Sequence, residues 1–206
     1  MGPEAWNARY AAADLVWSAT PNQWVESELR DVPPGRALDL ACGEGRNAIW
    51  LASLGWDVTA VDFAVAGLAK GRTLQASRDD ADRLRIVWLC ADVVTWAAPP
   101  GSFDLALLCY LQLPAGQRRA AVRRAASSLS PGGLLLVVGH DTTNLTDGVG
   151  GPPDARVLFT AEDVVADLAS QPGLQVERAE RVDRIVQTGD GPRAARDALV
   201  RVRRSA

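Results

Sequence analysis

Histidine, lysine and cysteine are scarce in this chain of 206 residues. It has one His (His140), one Lys (Lys70) among 22 basic residues, and three Cys. A single imidazole cannot build a histidine-rich metal centre. Cys42, Cys90 and Cys109 are odd in number and widely spaced, so neither a zinc site nor a disulfide frame is expected. They stand in apolar, strand-like segments and read as buried thiols in a reducing compartment, with no metal. Apolar runs fall short of the roughly 18–20 residues that cross a bilayer. The opening MGPEAWNARYAAAD lacks the basic-then-apolar order of a secretory signal. A net charge of −3 gives little long-range attraction for phosphate backbones or anionic lipid. The expectation is a cytoplasmic monomer or homodimer with neither nucleic acid nor membrane as partner. Repeats, low-complexity tracts and long Ser/Gly linkers are also missing. What is present, 48% hydrophobic and 23% charged residues, is ordinary for a globular protein, and the length suits one domain. The excess of Arg over Lys reads as the bias of a GC-rich coding genome.

Strand patterns alternate with helix patterns. Thr20-Pro21-Asn22-Gln23 reads as a helix start, with Thr20 as cap, Pro21 in the first turn and Gln23 at the capping-box position. Val32-Pro33-Pro34-Gly35 ends that helix. Strands follow at Arg36–Ala41, Trp56–Val61, Leu84–Cys90, Phe103–Cys109 and Leu134–Gly139, with helices at Arg46–Leu54, Ala64–Ser77 and Gln117–Leu129. This alternation predicts a parallel sheet. Thr160 to Asp163 then starts another helix. Leu174–Val186 and Ala198–Arg204 are two strands around a Gly-rich turn region, and so short a connection implies antiparallel pairing. The expected fold class is α/β, a Rossmann-like, doubly wound, mostly parallel sheet with an antiparallel C-terminal hairpin at one edge. One domain over 1–206 divides into an aromatic and helical N-terminal segment (1–31), a cofactor-binding core (34–139), a candidate lid loop (140–159) and a C-terminal helix and hairpin (160–206). Asp141 to Leu158 is long, aperiodic and rich in Gly, Pro, Thr and Asp. It reads either as a solvated insertion or as a cover over the carboxyl edge, where open α/β sheets bind ligands.

Gly43-Glu44-Gly45-Arg46-Asn47-Ala48 follows a strand and opens a helix, fitting G-x-G-x-x-G/A. Glycines let the backbone turn sharply and approach a ligand, and the helix start offers free N–H groups. Nineteen residues after Gly43, Asp62 ends the second strand, placed to accept from both hydroxyls of an adenosine ribose. Asp39 stands just before the loop. It would repel a pyrophosphate but suits the ammonium group of S-adenosylmethionine, which has no phosphate and carries a sulfonium cation. Asp92 closes the third strand and suits the amino group of adenine. Three carboxylates at three successive strand ends favour a cationic adenosine ligand.

Together these stretches resemble the class I S-adenosylmethionine-dependent methyltransferases. Asp39-Leu40-Ala41-Cys42-Gly43-Glu44-Gly45 is similar to that superfamily's first motif, Val61-Asp62-Phe63 to its second, and Cys90-Ala91-Asp92-Val93 to its adenine-binding turn. Phe103-Asp104-Leu105 resembles its fourth strand and Leu129-Ser130-Pro131-Gly132-Gly133 the turn before its fifth. Within the superfamily, the run from Cys42 to Ala48, Gly55-Trp56-Asp57-Val58-Thr59 and the aromatic N-terminus look most like the tellurite-resistance and thiopurine methyltransferase group. Ala41 departs from the pattern, which usually has Gly there. The resemblance implies that Asp62 holds the ribose, Phe63 and Val93 border the adenine, Asp92 meets its amino group, and Gly43 with Gly45 lines the methionine part. It also sets Cys109 and Tyr110 beside the activated methyl.

Several residues admit two readings. Trp6, Tyr10 and Trp17 either pack an N-terminal helix onto the core or, as in the resembling group, fold over the cofactor. Arg9 either binds the methionine carboxylate or is solvated. Arg118, Arg119, Arg123 and Arg124 read as a wet helix face. His140, Asp141 and Tyr110 are the candidate catalytic residues, His140 because its ordinary pKa lies near neutrality. The expected function is methyl transfer from S-adenosylmethionine to a heteroatom (S, O, N or Se) of a small-molecule acceptor, leaving S-adenosylhomocysteine. The alternatives are a NAD(P)-dependent reductase and a non-catalytic S-adenosylmethionine-binding sensor or partner.

Overall fold

Residues of the central strands alternate between two apolar faces, and helices cover both. A computed structural model describes residues 2–206. Its strands are β1 (Arg36–Leu40), β2 (Asp57–Asp62), β3 (Ile86–Cys90), β4 (Phe103–Cys109), β5 (Leu129–His140), β6 (Leu174–Thr188) and β7 (Gly191–Arg204). Its α-helices are α1 (Pro3–Ala11), α2 (Gln23–Leu29), α3 (Arg46–Ser53), α4 (Val65–Ala76), α5 (Ala115–Ser127), α6 (Asn144–Asp147) and α7 (Ala161–Leu168). The seven strands form one sheet in the order β3-β2-β1-β4-β5-β7-β6. β1 to β5 run parallel, and β7 is antiparallel to both β5 and β6. The α/β, mostly parallel sheet with an antiparallel C-terminal hairpin is the architecture that the strand and helix patterns predict.

On one face, Leu38, Leu40, Ala106, Leu108, Leu135 and Val137 are buried with Ala121, Val122 and Ala125 of α5 and Val164 and Leu168 of α7. On the other, Ala37, Leu105, Leu107, Leu136 and Val138 are buried with Val25 and Leu29 of α2 and with Ala48, Ile49 and Leu51 of α3. Full burial of one such aliphatic side chain stabilises the fold by roughly 1.5–3 kcal/mol. The strand phase matters for function. Asp39, Cys109, His140 and Asp197 share parity with the residues of this second face, at or near the carboxyl ends of β1, β4 and β5. No helix among the described residues is long and apolar enough to cross a membrane.

Four expectations need correction. The cap of α2 is Asn22, two residues after Thr20: its Oδ1 accepts from Trp24 N–H at 2.9 Å while its own N–H donates to Asn47 Oδ1 at 2.9 Å. A longer-range partner therefore fixes where that helix starts. β7 begins at Gly191, not Ala198, because backbone pairing on both sides, to β5 and β6, extends the strand almost to the hairpin tip. Cys90 is exposed, since β3 is an edge strand. The arginines of α5 are only in part a wet face, since Arg118 is buried and Arg123 and Arg124 are half-buried while Arg119 is exposed. Arg118 Nε (2.8 Å) and Arg119 Nε (3.0 Å) both pair with the buried Asp167 of α7, and Arg123 Nε donates to its carbonyl at 2.7 Å.

Candidate active site at the carboxyl edge

Between β1 and α3 the chain turns through three left-handed residues, Ala41 (φ 60°), Gly43 (φ 58°) and Gly45 (φ 77°). A Cβ on Gly45 would stand 2.2 Å from the Trp88 ring, and one on Gly43 2.6 Å from Tyr10 Oη, so close approach reinforces the demand for glycine. Ala41 bears the left-handed conformation with a methyl group, which costs about 1–2 kcal/mol. Asp62 holds the turn from below. Its Oδ2 accepts from Gly43 N–H at 2.8 Å and its Oδ1 from Ala64 N–H at 2.7 Å. Burial raises its pKa, and these N–H groups oppose the rise.

Asp39 is 1% exposed, and its Oδ2 has no hydrogen-bond partner among the described residues. Burial, and then the nearby Asp62, push its carboxyl up to about 7, with Arg46 acting against them. Buried polar atoms are almost always paired. An orphaned carboxylate oxygen beside a glycine turn is therefore a place for a donor from outside the chain.

The aromatic N-terminal segment lies over this turn. Trp6 stacks on Tyr10 (centroids 5.5 Å apart) and tilts against Trp17 (6.4 Å). Tyr10 is buried against Gly43 and Gly67. Burial pushes its hydroxyl above the ordinary range. Glu44 straps the segment down: its carboxylate accepts from Val16 N–H (3.0 Å) and Trp17 N–H (3.1 Å), and it pairs with Lys70 at 3.4 Å. Lys70 also donates to the carbonyls of Tyr10 and Ala13. Asn7 Oδ1 accepts from Ala66 N–H at 2.8 Å. Arg9 is exposed and stacks on the rings of Trp6 (5.1 Å) and Trp17 (5.4 Å).

Phe63 is half-buried at the head of α4, and Val93 is buried with Leu38 and Leu40. Asp92 is exposed, and its Oδ1 accepts from Val94 N–H at 2.8 Å, closing its own turn. At the end of β4, burial pushes the Cys109 thiol up to about 12, with both Asp39 and Asp197 adding to the rise. Cys109 thus lies between the Asp39 carboxylate and a second cluster.

That cluster gathers on Asp197, which is completely buried. Its Oδ2 accepts from Tyr110 Oη (2.7 Å), Arg184 Nε (2.9 Å) and Trp24 Nε1 (3.0 Å). Its Oδ1 stands 3.3 Å from His140 Nδ1, off the direction of a good hydrogen bond. Burial pushes Asp197 up, but His140, Arg184 and Tyr110 outweigh it and leave the carboxyl below its usual value. Burial and the Asp197 charge hold the Tyr110 hydroxyl far above its usual range, so it stays a donor. Tyr110 has a left-handed backbone (φ 60°), and its ring lies 4.8 Å from that of His140. The backbone N–H of His140 donates to Gln112 Oε1 at 2.7 Å. Asp141 is committed elsewhere, its Oδ1 accepting from Thr143 N–H (2.9 Å) and Thr143 Oγ1 (2.7 Å). The 141–158 segment is not structureless: it carries α6, and Gln112 Nε2 ties Val157 O at 2.6 Å. A broad cleft of about 670 Å³, lined by Arg36, Asp57, Thr59 and Phe103, lies at the opposite, amino edge of the sheet. None of the groups above borders it.

A family model described as a methyltransferase domain matches residues 37–133. Thiocyanate methyltransferase 1 of Arabidopsis thaliana is 30% identical over 143 residues, covering 68% of this chain and 60% of that protein. The chain spans between 39% and 63% of the length of the first curated relatives it matches. Among solved structures, the N-methyltransferase NodS of Bradyrhizobium japonicum WM9, in complex with S-adenosyl-L-homocysteine, superposes with a TM-score of 0.71 at 20% identity, over 99% of this chain and 98% of that one. TehB of Haemophilus influenzae gives 0.70 at 19% identity, over 90% and 63%. This chain has the fold of these solved methyltransferases.

In a methyltransferase fold the carboxyl edge is where the two clusters meet. The structure brings Asp39, Ala41, Gly43, Gly45, Asp62, Tyr10 and Trp17 together on one side, and Tyr110 and His140 on the other, with Cys109 between. It does not bring Asp141 or the Asp92 carboxylate into either cluster. Glu44, Lys70, Trp24, Arg184 and Asp197 were missed by sequence reasoning. Glu44 and Lys70 carried a faint signal, one inside the glycine motif and the other the sole lysine. Asp197 carried none, because it falls where the sequence reads as a turn.

Proposed function

We propose that this protein is an S-adenosylmethionine-dependent methyltransferase acting on a heteroatom of a small molecule. The observation that carries this reading is the orphaned Asp39 Oδ2 beside the Gly43–Gly45 turn. The residues fit the donor. Asp39 would take its ammonium group, the turn its methionine part, Asp62 the ribose hydroxyls, and Phe63 with the Asp92 turn the adenine. A nicotinamide dinucleotide would set a pyrophosphate against the same buried carboxylate, where like charges repel. When bound, the donor supplies a methyl group already activated by the sulfonium. This chain's part is to orient the acceptor and exclude water, and orientation alone can contribute roughly 7–11 kcal/mol. The aromatic cover strapped by Glu44 and Lys70 supports the water-excluding role. It also supports the narrower likeness to the tellurite-resistance and thiopurine methyltransferase group.

His140 is the proton-accepting group on this reading, while Asp141 Oδ1 accepts from Thr143 N–H and Thr143 Oγ1. The test is calorimetry with S-adenosylhomocysteine and with NADP, followed by S-adenosylhomocysteine release across a panel of thiols, phenols and heteroaromatic amines. Binding of the first ligand alone, with turnover of a panel member, is the expected result. Binding of NADP alone would overturn the reading.

A further inference from the structure

The arrangement around Asp197 has a direction. Three donors from three elements, Trp24, Tyr110 and Arg184, all meet Oδ2, while Oδ1 faces His140 Nδ1 with no other partner. Arg184 pairs with the carboxylate at 2.9 Å. Like Nδ1, the other ring nitrogen, Nε2, makes no hydrogen bond among the described residues, but Nδ1 faces the Asp197 carboxylate at 3.3 Å. The ring itself is held between Tyr110, at 4.8 Å, and the backbone of Gly151, where a Cβ would come within 2.7 Å of it. The partner of one imidazole nitrogen sets the tautomer and so the chemistry of the other.

We infer that Asp197 is a positioning residue that keeps the His140 proton on Nδ1, so that Nε2 takes a proton from the acceptor, and that the acceptors served are hydroxyl or amine compounds still protonated on the atom to be methylated. This rests on the methyltransferase reading above. In the transfer, the acceptor atom forms a bond to the methyl carbon and the carbon–sulfur bond breaks with its electron pair going to sulfur. The acceptor's proton passes to His140 Nε2, then to solvent. A thiolate or other anion arrives without a proton and needs no such pair.

His140 is the only histidine in the chain, so nitrogen-15 NMR of histidine-labelled protein reports on one imidazole without assignment. In the free wild-type protein the neutral ring is expected as the Nδ1–H tautomer, against the Nε2–H preference of histidine in water. Asp197→Asn should lose that preference. The same variant is expected to lower kcat on phenols or amines about 10²- to 10⁴-fold, the usual contribution of a general base. KM and S-adenosylhomocysteine affinity should stay within about twofold, and Asp197→Glu should recover part of the loss. If Asp197→Asn does not fold, the wild-type tautomer and the Asp197→Glu kinetics still decide. An Nε2–H ring in the wild type, or unchanged kcat in a folded Asp197→Asn, would overturn the assignment. Failure of the wild type to bind S-adenosylhomocysteine would instead overturn the methyltransferase reading, while the ligand-free tautomer still judges the Asp197–His140 pair.

Discussion

His140 and Asp197 are register partners across the antiparallel pair β5–β7, with Nδ1 and Oδ1 3.3 Å apart. Opposite residues of an antiparallel pair point to the same face, so this pairing puts both side chains on the α2 side of the sheet. The relation follows from the length of β7. A strand starting at Ala198 would stop one residue short of the carboxylate.

Ligand choice is the first prediction. S-adenosylhomocysteine at about 100 times its Kd should stabilise the protein by about 2.7 kcal/mol, and NADP not at all. For a chain of this size that is a rise in Tm of roughly 5–11 °C. Thermal scanning with each ligand reads it directly. A shift with NADP alone would count against the donor assigned to Asp39.

Asp39 makes the unliganded protein pH-sensitive. Its folded pKa is about 7, above its unfolded value of about 3.9. Between those values the folded state holds a proton that the unfolded state has released, so stability falls as pH rises from about 4 to about 7 and levels off above. Asp62, also raised, adds to the slope. Urea unfolding at pH 5, 6, 7 and 8 should show the decline, and Asp39→Asn should flatten it. A bound ammonium group favours the ionised form, so S-adenosylhomocysteine should bind more tightly as pH climbs toward 7, with release of a proton measurable by calorimetry in two buffers.

Asp62→Ala should weaken both binding and folding. Each hydrogen bond to a charged acceptor contributes roughly 1.5–3 kcal/mol, and the proposed reading gives Asp62 two ribose hydroxyls, so S-adenosylhomocysteine affinity should drop at least about 100-fold. The Gly43 and Ala64 N–H groups also lose their acceptor, at a cost of about 1–3 kcal/mol in stability. Unchanged affinity in a folded Asp62→Ala protein would move the ribose site elsewhere.

Glu44 ties the aromatic cover to the glycine turn. Glu44→Ala removes the acceptor for Val16 and Trp17 N–H and should raise amide exchange over residues 3–17, leaving the central strands protected. In the wild type, S-adenosylhomocysteine should slow exchange in that segment and in 141–158, because ligand contacts offset the entropy of ordering a cover. Protection confined to the strand ends would mean that the donor alone does not close the acceptor side.

Ala41→Gly relieves the left-handed strain at φ 60°. The gain, about 1–2 kcal/mol, is partly offset by the 0.4–1 kcal/mol that Gly loses through a freer unfolded chain. A net stabilisation of up to about 1.6 kcal/mol is expected in denaturant titration. A loss of stability would show that the Ala41 methyl is held by packing that outweighs its backbone.

By itself the sequence determined the alternating strands and helices, the parallel core and the turn that carries Gly43, Gly45, Asp39 and Asp62. Each of those features is read from a short stretch of chain: apolar periodicity along one element, glycine at a sharp turn, an acidic residue at a strand end. The capping box at Thr160 and Asp163 was legible for the same reason. The start of α2 at Asn22, the pairing of Arg118 with Asp167, the strap from Glu44 and Lys70 to the N-terminus, and the Asp197 cluster were decided only by tertiary structure. Each joins residues 25 or more positions apart, or depends on a strand whose length is fixed by neighbours on both sides. Polar residues such as Asp197 and Arg184 look like exposed charges in sequence. Asp197 becomes buried, and its Oδ2 meets the half-buried Arg184, only when β7 is inserted between β5 and β6.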